Sequence, residues 1–472
     1  MKHIISLSSY LKKFSTTCAF CLHTNEKCGI INMMDNQKQN ESSAEEFVNL
    51  LVDRAVAEHA SDIHIEPRAR DIRIRLRIDG VLHELGTKPL YELDSILNRI
   101  RVLSDLDIAT RVTAQEGHFI KQIGTPIPEN QKTAKKEPPT KGGFSDKLTS
   151  LLFSGNSDAA ESPPKENASD ASVPQNRVID VRVSLFPTTY GDATVMRLLS
   201  RQEMLLGLDK IGMDPKTLAT FRNLISKIYG MVLITGPSGA GKTTTLYSIL
   251  QEIRNAEKNI ITLEDPVELN LENIRQSQVE PEHGLTLASG IQRILRQDPD
   301  AIMIGEIRDP LTAEQAIRAS LMGRIVFSTI HSNTTLGTIA RLIDMNVERS
   351  LIAYALNGVL AQRLVRKICA QCQTTYIPEP EYLKYFSIEA GEHEFIKGKG
   401  CDACRHTGFL GRTGIFEVIE LDDSLQALII EKAPMSALQE YVATAKLKTL
   451  KQDALKKVLS GITTIEEAAH SV

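Results

Sequence analysis

The segment Gly236-Pro-Ser-Gly-Ala-Gly-Lys242-Thr243 constrains the fold of this 472-residue chain more than any other feature. It follows an apolar β-type run at 231–235 and opens a helix-like stretch at 243–254, which is the setting that a phosphate-binding P-loop requires. Glycines let backbone N–H groups surround phosphate, Lys242 neutralises phosphate oxygens, Thr243 reaches Mg²⁺, and the helix N-terminus adds its dipole. The predicted nucleotide-binding residues are Gly236, Pro237, Ser238, Gly239, Ala240, Gly241, Lys242, Thr243 and Thr244.

Short β-rich runs alternate with helical stretches around this loop. Such alternation is typical of a parallel sheet with helices on both faces, so the sequence predicts an α/β core. Further strands are expected at 260–263, 301–304 and 324–329, and further helices at 285–296 and 311–322. After residue 335 the pattern predicts helices around a cysteine-bearing loop.

These three further strands end in polar residues at their carboxyl ends, where ligands bind in sheets of this kind. Glu264 follows the first strand, Glu306 the second and His331 the third. Hydrolysis of a phosphoanhydride needs a base that orients water, a held Mg²⁺ and a group that senses the γ-phosphate. We expect Glu264 to be the base, Glu306 to lie near Mg²⁺ through water, and His331 to sense the γ-phosphate. The roles of the two glutamates are interchangeable on this evidence alone, and helix capping is the structural alternative for both.

The region before the P-loop core predicts an α+β domain. It combines a helix-like period, a strand with strict alternation, the hairpin turn Asp79-Gly80 and later strands. The helix is expected at 44–59 and the strands at 72–78, 81–85, 178–185 and 193–199.

A polar insert at 125–176 interrupts that domain. It holds seven of the chain's 19 prolines among lysine, glutamate, serine and asparagine, and it has too little apolar surface to fold. We expect it to be a disordered loop whose apolar segment 148–153 is either a short docking helix or an incidental patch. Residues 1–42 are expected to form a disordered tail.

Four of the seven cysteines form two CxxC pairs, Cys369-x2-Cys372 and Cys401-x2-Cys404. Four thiolates in this pattern suit a tetrahedral structural zinc ion, whereas a redox CxxC would begin a helix beside a thioredoxin-like strand, which the pattern lacks. A second candidate metal site consists of Cys18, Cys21, Cys28 and His23.

Composition excludes several classes of protein. The net charge of −4 gives no overall attraction to nucleic acid or anionic lipid, and apolar stretches fall short of the ~20 residues that span a bilayer. The few cysteines and the absence of a signal-peptide pattern favour a cytoplasmic protein.

Several longer motifs resemble the secretion ATPase superfamily that powers type II secretion and type IV pilus assembly. They are SDIHIEP, RIDG, GPSGAGKTTTLY, ITLEDPVE, ILRQDPDAIMIGEIRD, STIHSN and CxxC…CxxCxxTGFLGRTGIFE, in this order along residues 43–472. The resemblance implies a homo-hexameric ATP hydrolase with a RecA-like P-loop core, a preceding PAS-like α+β domain and a C-terminal tetracysteine zinc module. Its cofactors would be ATP, Mg²⁺ and Zn²⁺.

The same resemblance implies roles for two arginines. Arg182 and Arg197 match positions from which the family supplies arginines to phosphate at a domain or subunit junction, although solvent-facing strand arginines are the alternative. The chain departs from the family pattern at His118, where arginine is usual, and at Gln292, where a further arginine is common.

The resulting hypothesis is a cytoplasmic hexameric motor, peripheral to the inner membrane, that couples ATP hydrolysis to domain motion and drives pseudopilus assembly through inner-membrane platform proteins. A type IV pilus assembly motor, a nucleic-acid translocase and a non-hydrolysing scaffold are the alternatives, and no nucleic-acid partner is expected. The predicted divisions are a tail at 1–42, the α+β domain at 43–204, the ATPase core at 205–365, the zinc module at 366–415 and a helical region at 416–472.

Overall fold

The computed structural model describes residues 44–109, 113–123, 177–200, 204–389, 391 and 393–472. The predicted tail 1–42, the insert 125–176 with its segment 148–153, and the candidate site of Cys18, Cys21, Cys28 and His23 lie outside these residues. Among the helices of the described ranges, none is both long and apolar enough to cross a membrane.

The first domain is a six-stranded sheet with helices, as the alternating pattern predicts. The strand order is β3-β2-β1-β6-β5-β4, and β2–β3, β1–β2 and β1–β6 pair antiparallel. Its strands are β1 (Ala60–Pro67), β2 (Asp71–Ile78), β3 (Val81–Pro89), β4 (Gln115–Ile123), β5 (Arg177–Thr188) and β6 (Gly191–Ser200), with helices α1 (44–57) and α2 (Leu93–Leu103). The sequence pattern predicts α1 but misses β1 and α2.

The hairpin between β2 and β3 turns at Asp79-Gly80, which confirms the predicted turn. Both residues have positive φ, 49° at Asp79 and 87° at Gly80, and Ile78 pairs directly with Val81. A two-residue turn of this type matches the right-handed twist of its strands.

The second sheet contains the P-loop and has the strand order β15-β12-β7-β11-β10-β8-β9. Strands β12, β7, β11, β10, β8 and β9 run parallel, whereas β15 runs antiparallel to β12. The strands are β7 (Gly230–Thr235), β8 (Ile260–Glu264), β9 (Arg275–Gln278), β10 (Ala301–Ile307), β11 (Ile325–Ile330), β12 (Leu356–Ile368) and β15 (Phe409–Glu420), and a separate small sheet pairs β13 (Gln373–Tyr376) with β14 (Phe395–Gly398).

Helices cover both faces of this second sheet, so the predicted α/β core is confirmed. Residues of β7 alternate between the two cores: Met231 and Leu233 pack in one, Val232 and Ile234 in the other. This two-sided burial explains why β7 is apolar throughout. The helices are α3 (Pro215–Ile225), α4 (Lys242–Ile253), α5 (Leu287–Ile294), α6 (Pro310–Leu321), α7 (Thr335–Asp344), α8 (Arg349–Ala355), α9 (Pro380–Phe386), α10 (Asp423–Ile430), α11 (Met435–Thr444), α12 (Leu450–Leu459) and α13 (Ile465–Ser471).

The predicted helices after residue 335 are present, but the prediction misses β12 and β15, which extend the sheet on both sides of the cysteine loop. They pair from Gly358 with Glu420 to Ile368 with Phe409, and the cysteine-bearing loop connects them. Their partners lie some fifty residues apart in sequence, so local periodicity carries no signal of this pairing. The predicted division at 365 falls inside β12 and that at 415 inside β15.

Candidate nucleotide and metal sites

The P-loop connects β7 to α4 in a geometry that only glycine permits at its first residue. Gly236 has a φ of 153°, and a Cβ there would lie 2.5 Å from the carbonyl oxygen of Gln362. Pro237, Ser238 and Gly239 form an exposed tip, whereas Ala240 is buried. Helix α4 begins at Lys242, and Thr243 lies exposed in its first turn. Backbone N–H groups of a loop and helix N-terminus suit a phosphate chain, so these residues fit a bound nucleotide.

Lys242 folds back onto the loop. Its Nζ donates to the carbonyl oxygens of Gly236 at 2.8 Å and Pro237 at 3.0 Å. Burial lowers the pKa of Lys242, the Glu306 carboxylate opposes that shift, and the Arg363 guanidinium adds to it. The predicted phosphate-binding lysine and the predicted Mg²⁺-associated carboxylate therefore share one electrostatic environment.

Glu306 and His331 meet at the same sheet edge. His331 Nε2 lies 3.2 Å from Glu306 Oε2, and Arg308 pairs with the other oxygen of the Glu306 carboxylate. Arg308 also approaches Asp265 at 3.5 Å, and its hydrogen bond to Glu306 raises the pKa of the guanidinium. Arg308 lies in the GEIRD motif, but the sequence pattern alone indicates no role for it.

Glu264 lies at the end of β8 but is buried, with 3% of its surface exposed. Its Oε1 accepts from Thr262 Oγ1 at 2.5 Å and from Gln276 Nε2 at 3.0 Å, and its Oε2 accepts from Tyr247 OH at 2.6 Å. Burial and the adjacent carboxylate raise the pKa of Tyr247, so the phenol remains a donor. A carboxylate offers about four acceptor directions, which leaves one for a water molecule.

Gln362 holds the P-loop from β12, and sequence reasoning missed it. Its side chain, 2% exposed, donates from Nε2 to the Ala240 carbonyl at 2.6 Å and accepts from Thr245 Oγ1 at 2.8 Å. It therefore ties the loop and the first turn of α4 to the sheet. The available signal was a single amide within the otherwise apolar run 359–361 and 364–365.

The two candidate arginines both lie near the segment that follows Glu264. Arg182 Nη2 donates to the Val267 carbonyl at 3.1 Å and lies 2.6 Å from Glu268 Oε2. Arg197 Nε donates to Asp62 Oδ1 at 3.0 Å. Burial raises the pKa of Glu268, and the charges of Arg182 and Arg197 oppose that shift. By contrast, His118 and Gln292 are exposed on β4 and α5.

A cavity of about 780 Å³ opens beside the start of α4. Its wall includes Gly241 and Thr244 on the P-loop side, and Leu199, Met204 and Leu364 contribute apolar surface. Charged residues such as Glu58, Lys210 and Arg412 also line it, and its volume is within the range usual for small-molecule sites.

The four predicted zinc ligands converge at the tip of the loop between β12 and β15. All four sulfurs lie within 4.8 Å of one another. The Sγ atoms of Cys369 and Cys401 are 3.8 Å apart, as are those of Cys372 and Cys404, and Cys401 and Cys404 are separated by 3.7 Å. Four sulfurs about 2.3 Å from a tetrahedral zinc ion lie about 3.8 Å from one another, so the donor set fits zinc.

Close backbone approach forms this tip. A Cβ on Gly398 would lie 2.1 Å from the carbonyl oxygen of Gly408, whose own φ is 78°. The Gly408 N–H donates to Cys404 Sγ at 3.3 Å, and the Cys401 N–H donates to it at 3.2 Å. Burial opposes ionisation of Cys404, but these N–H donors, together with the thiols of Cys401 and Cys372, lower its pKa to about 6.

Comparison with known proteins places the chain in one family. The model for the type II/IV secretion system protein family matches residues 37–128 and 151–470. The chain is 38% identical over 433 residues to the type II secretion system ATPase E of Vibrio cholerae, covering 91% of this chain and 76% of that protein. It is 37% identical over 431 residues to the type IV pilus assembly ATPase PilB of Thermus thermophilus, covering 91% of this chain but 43% of that protein.

Two solved structures share the fold. The ATPase DotB of Legionella pneumophila aligns with a TM-score of 0.59 at 18% identity, over 90% of this chain and 94% of DotB. The pilus retraction motor PilT with bound ADP aligns with a TM-score of 0.52 at 21% identity, over 89% of this chain and 95% of PilT. With a P-loop at the sheet edge and these relatives, the chain belongs to the type II/IV secretion system protein family and is an ATP hydrolase.

Proposed function

We propose that ATP and Mg²⁺ bind at the P-loop and that the roles predicted from sequence apply to the residues around it. Lys242 binds the β- and γ-phosphates, and Thr243 and Glu306 hold Mg²⁺, Glu306 through water. Glu264 orients the attacking water, and His331 senses the γ-phosphate. The observation that most directly supports this proposal is the P-loop between β7 and α4, at the same sheet edge where Glu306 and His331 lie 3.2 Å apart.

Glu264 suits the base role because three donors fix its carboxylate and leave one acceptor direction for water. The reverse assignment, with Glu306 as the base, is favoured by accessibility, since 15% of the Glu306 side chain is exposed. Substitution of each by glutamine separates the two assignments. Loss of turnover with retained Mg²⁺-ATP binding identifies the base, whereas loss of Mg²⁺ dependence identifies the metal-associated carboxylate.

The N-terminal domain, of the predicted PAS-like type, completes the site over a RecA-like core. Arg182 and Arg197 lie at the junction beside Glu268, and a fixed cation there would stabilise charge that spreads over the transferring phosphoryl group. The cavity beside α4 would hold the nucleoside. One structural zinc ion would bind four thiolates and so fix the loop that carries them. Its ligands are Cys369, Cys372, Cys401 and Cys404.

We further propose that the chain is the homo-hexameric ATPase of a type II secretion system, cytoplasmic and held at the inner membrane by platform proteins. Similarity over most of the Vibrio cholerae secretion ATPase supports this reading, and the PilB similarity supports a pilus assembly motor as the second candidate. Co-purification of an inner-membrane secretion or pilus protein decides between them.

The proposed motor function is tested by nucleotide-dependent oligomer formation and by stimulation of ATPase activity. ATP with Mg²⁺ should shift the sedimenting species toward a hexamer, and ATPase activity should rise with anionic phospholipid together with the platform partner. Stimulation by single-stranded DNA, with no response to the lipid and partner, would instead support a nucleic-acid translocase.

A further inference from the structure

Tyr247 occupies an unusual position between the P-loop helix and the proposed base. It lies on α4, its side chain is fully buried, and its OH donates to Glu264 Oε2 at 2.6 Å. The hydroxyl oxygen of Tyr247 in turn accepts from the backbone N–H of Glu268 at 3.2 Å. A phenol has one proton to donate, so the two contacts fix the rotation of the hydroxyl.

The Glu268 segment is in turn held by the N-terminal domain. Arg182, on β5, reaches the Val267 carbonyl at 3.1 Å and the Glu268 carboxylate at 2.6 Å. The Arg182 guanidinium therefore contacts the backbone of Val267 and the side chain of Glu268. A change in the pose of β5 would displace this segment more than it would displace β8, because β8 is paired on both sides.

We infer that Tyr247 is a positioning residue that couples the pose of the N-terminal domain to the orientation of Glu264, through Arg182, Glu268 and the phenol. The coupling deepens the function proposed above and rests on Glu264 as the base. When Arg182 holds the Glu268 segment in place, the phenol is fixed and donates to Glu264. When Arg182 moves away, the phenol loses its backbone partner and the carboxylate loses a fixed donor.

A purely structural role for Tyr247 makes a different prediction. Its ring packs in the core with Ile249, Leu250 and Phe327, and that packing needs no hydroxyl. Tyr247→Phe keeps the ring and removes only the oxygen. We expect kcat to fall at least about tenfold, while ATP affinity stays within about twofold and the thermal midpoint falls by only a few degrees. Tyr229→Phe is the matched control, because this exposed tyrosine lies at the opposite edge of the sheet, and its kcat should not change.

A double-mutant cycle tests the coupling. Glu268→Gln loosens the contact with Arg182, so kcat should fall, but it should cause no further fall in the Tyr247→Phe background. Thr262→Val removes another donor to Glu264 without touching the Glu268 segment. Its effect should multiply with that of Glu268→Gln.

Three results would overturn the inference. They are a wild-type kcat in Tyr247→Phe, a wild-type kcat in Glu268→Gln, or a double mutant of these two whose fall in kcat equals the product of the two single falls. The Glu268→Gln measurement stands even if Tyr247→Phe fails to fold, since Glu268 lies in a loop. Failure of the coupling can be told apart from failure of the base assignment, because Glu264→Gln keeps normal turnover only if Glu264 is not the base.

Discussion

The P-loop edge and the cysteine tip differ in what holds their functional groups in place. At the edge, strands buried on both faces position the P-loop, Glu264 and Glu306, and long-range side chains such as Gln362 brace them. At the tip, four cysteines lie where backbone approaches backbone at Gly398 and Gly408. The apolar residues of that loop, including Leu383 and Phe395, pack away from the cysteines against the C-terminal helices. The side chains at the edge are therefore positioned by the protein core, whereas we propose that order at the tip depends on a bound zinc ion.

The largest effect should come from the edge. Lys242→Ala removes the cation that we propose neutralises the phosphates, so turnover should fall at least about a hundredfold and ATP affinity should weaken. Steady-state phosphate release and nucleotide titration measure both. Lys258→Ala is the control, since this exposed lysine precedes β8 at the opposite edge. Substantial turnover in Lys242→Ala would show that hydrolysis does not depend on the P-loop lysine.

Metal removal should affect the tip and spare the edge. Elemental analysis should find one zinc ion per chain, and Cys369→Ser should abolish it, because structural zinc supplies ~10 to 16 kcal/mol of apparent binding energy in small modules. Hydrogen exchange should then rise within 369–408 and stay unchanged in β7 and β10. Two zinc ions per chain would support a second site at Cys18, Cys21, Cys28 and His23. No metal in fresh, reduced protein would contradict the zinc site.

The domain junction should show an intermediate effect. Arg197→Ala should lower turnover at least about tenfold, or ~1.4 kcal/mol, with little change in ATP affinity, if its charge acts on the transition state as proposed. Sedimentation with a non-hydrolysable nucleotide should also show a weaker shift toward oligomers. Arg54→Ala, in an exposed pair on α1, serves as control. Unchanged kcat in Arg197→Ala would leave this arginine as a structural partner of Asp62.

The smallest effect should come from the contact that joins the tip to the N-terminal domain. Arg405 donates to the Glu58 carbonyl at 3.1 Å and lies 3.2 Å from its carboxylate. Partly exposed pairs contribute about 0.2 to 1 kcal/mol, so Arg405→Ala should change turnover less than about threefold. A tenfold fall in turnover would show that the tip contributes to catalysis, contrary to the difference drawn between the tip and the P-loop edge.

Sequence could predict the features that local pattern encodes. The P-loop, the polar ends of β8, β10 and β11, the Asp79-Gly80 turn and the CxxC pairs each occupy a few adjacent residues with a defined chemistry. Tyr247, Gln362 and Glu268 were not predictable, because their roles arise from partners 17 to 122 residues away in sequence. The pairing of β12 with β15 was missed for the same reason.

Hydrolysis of ATP at the sheet edge, with Glu264 as the proposed base, underlies every role assigned to the surrounding residues. The most direct measurement is steady-state phosphate release against Mg²⁺-ATP concentration, for the full chain and for Glu264→Gln, with ATP affinity measured on both. We expect saturable, Mg²⁺-dependent turnover in the wild type, and in Glu264→Gln a fall of about a hundredfold or more at unchanged ATP affinity. Normal turnover in Glu264→Gln would contradict the claim and would move the base to Glu306.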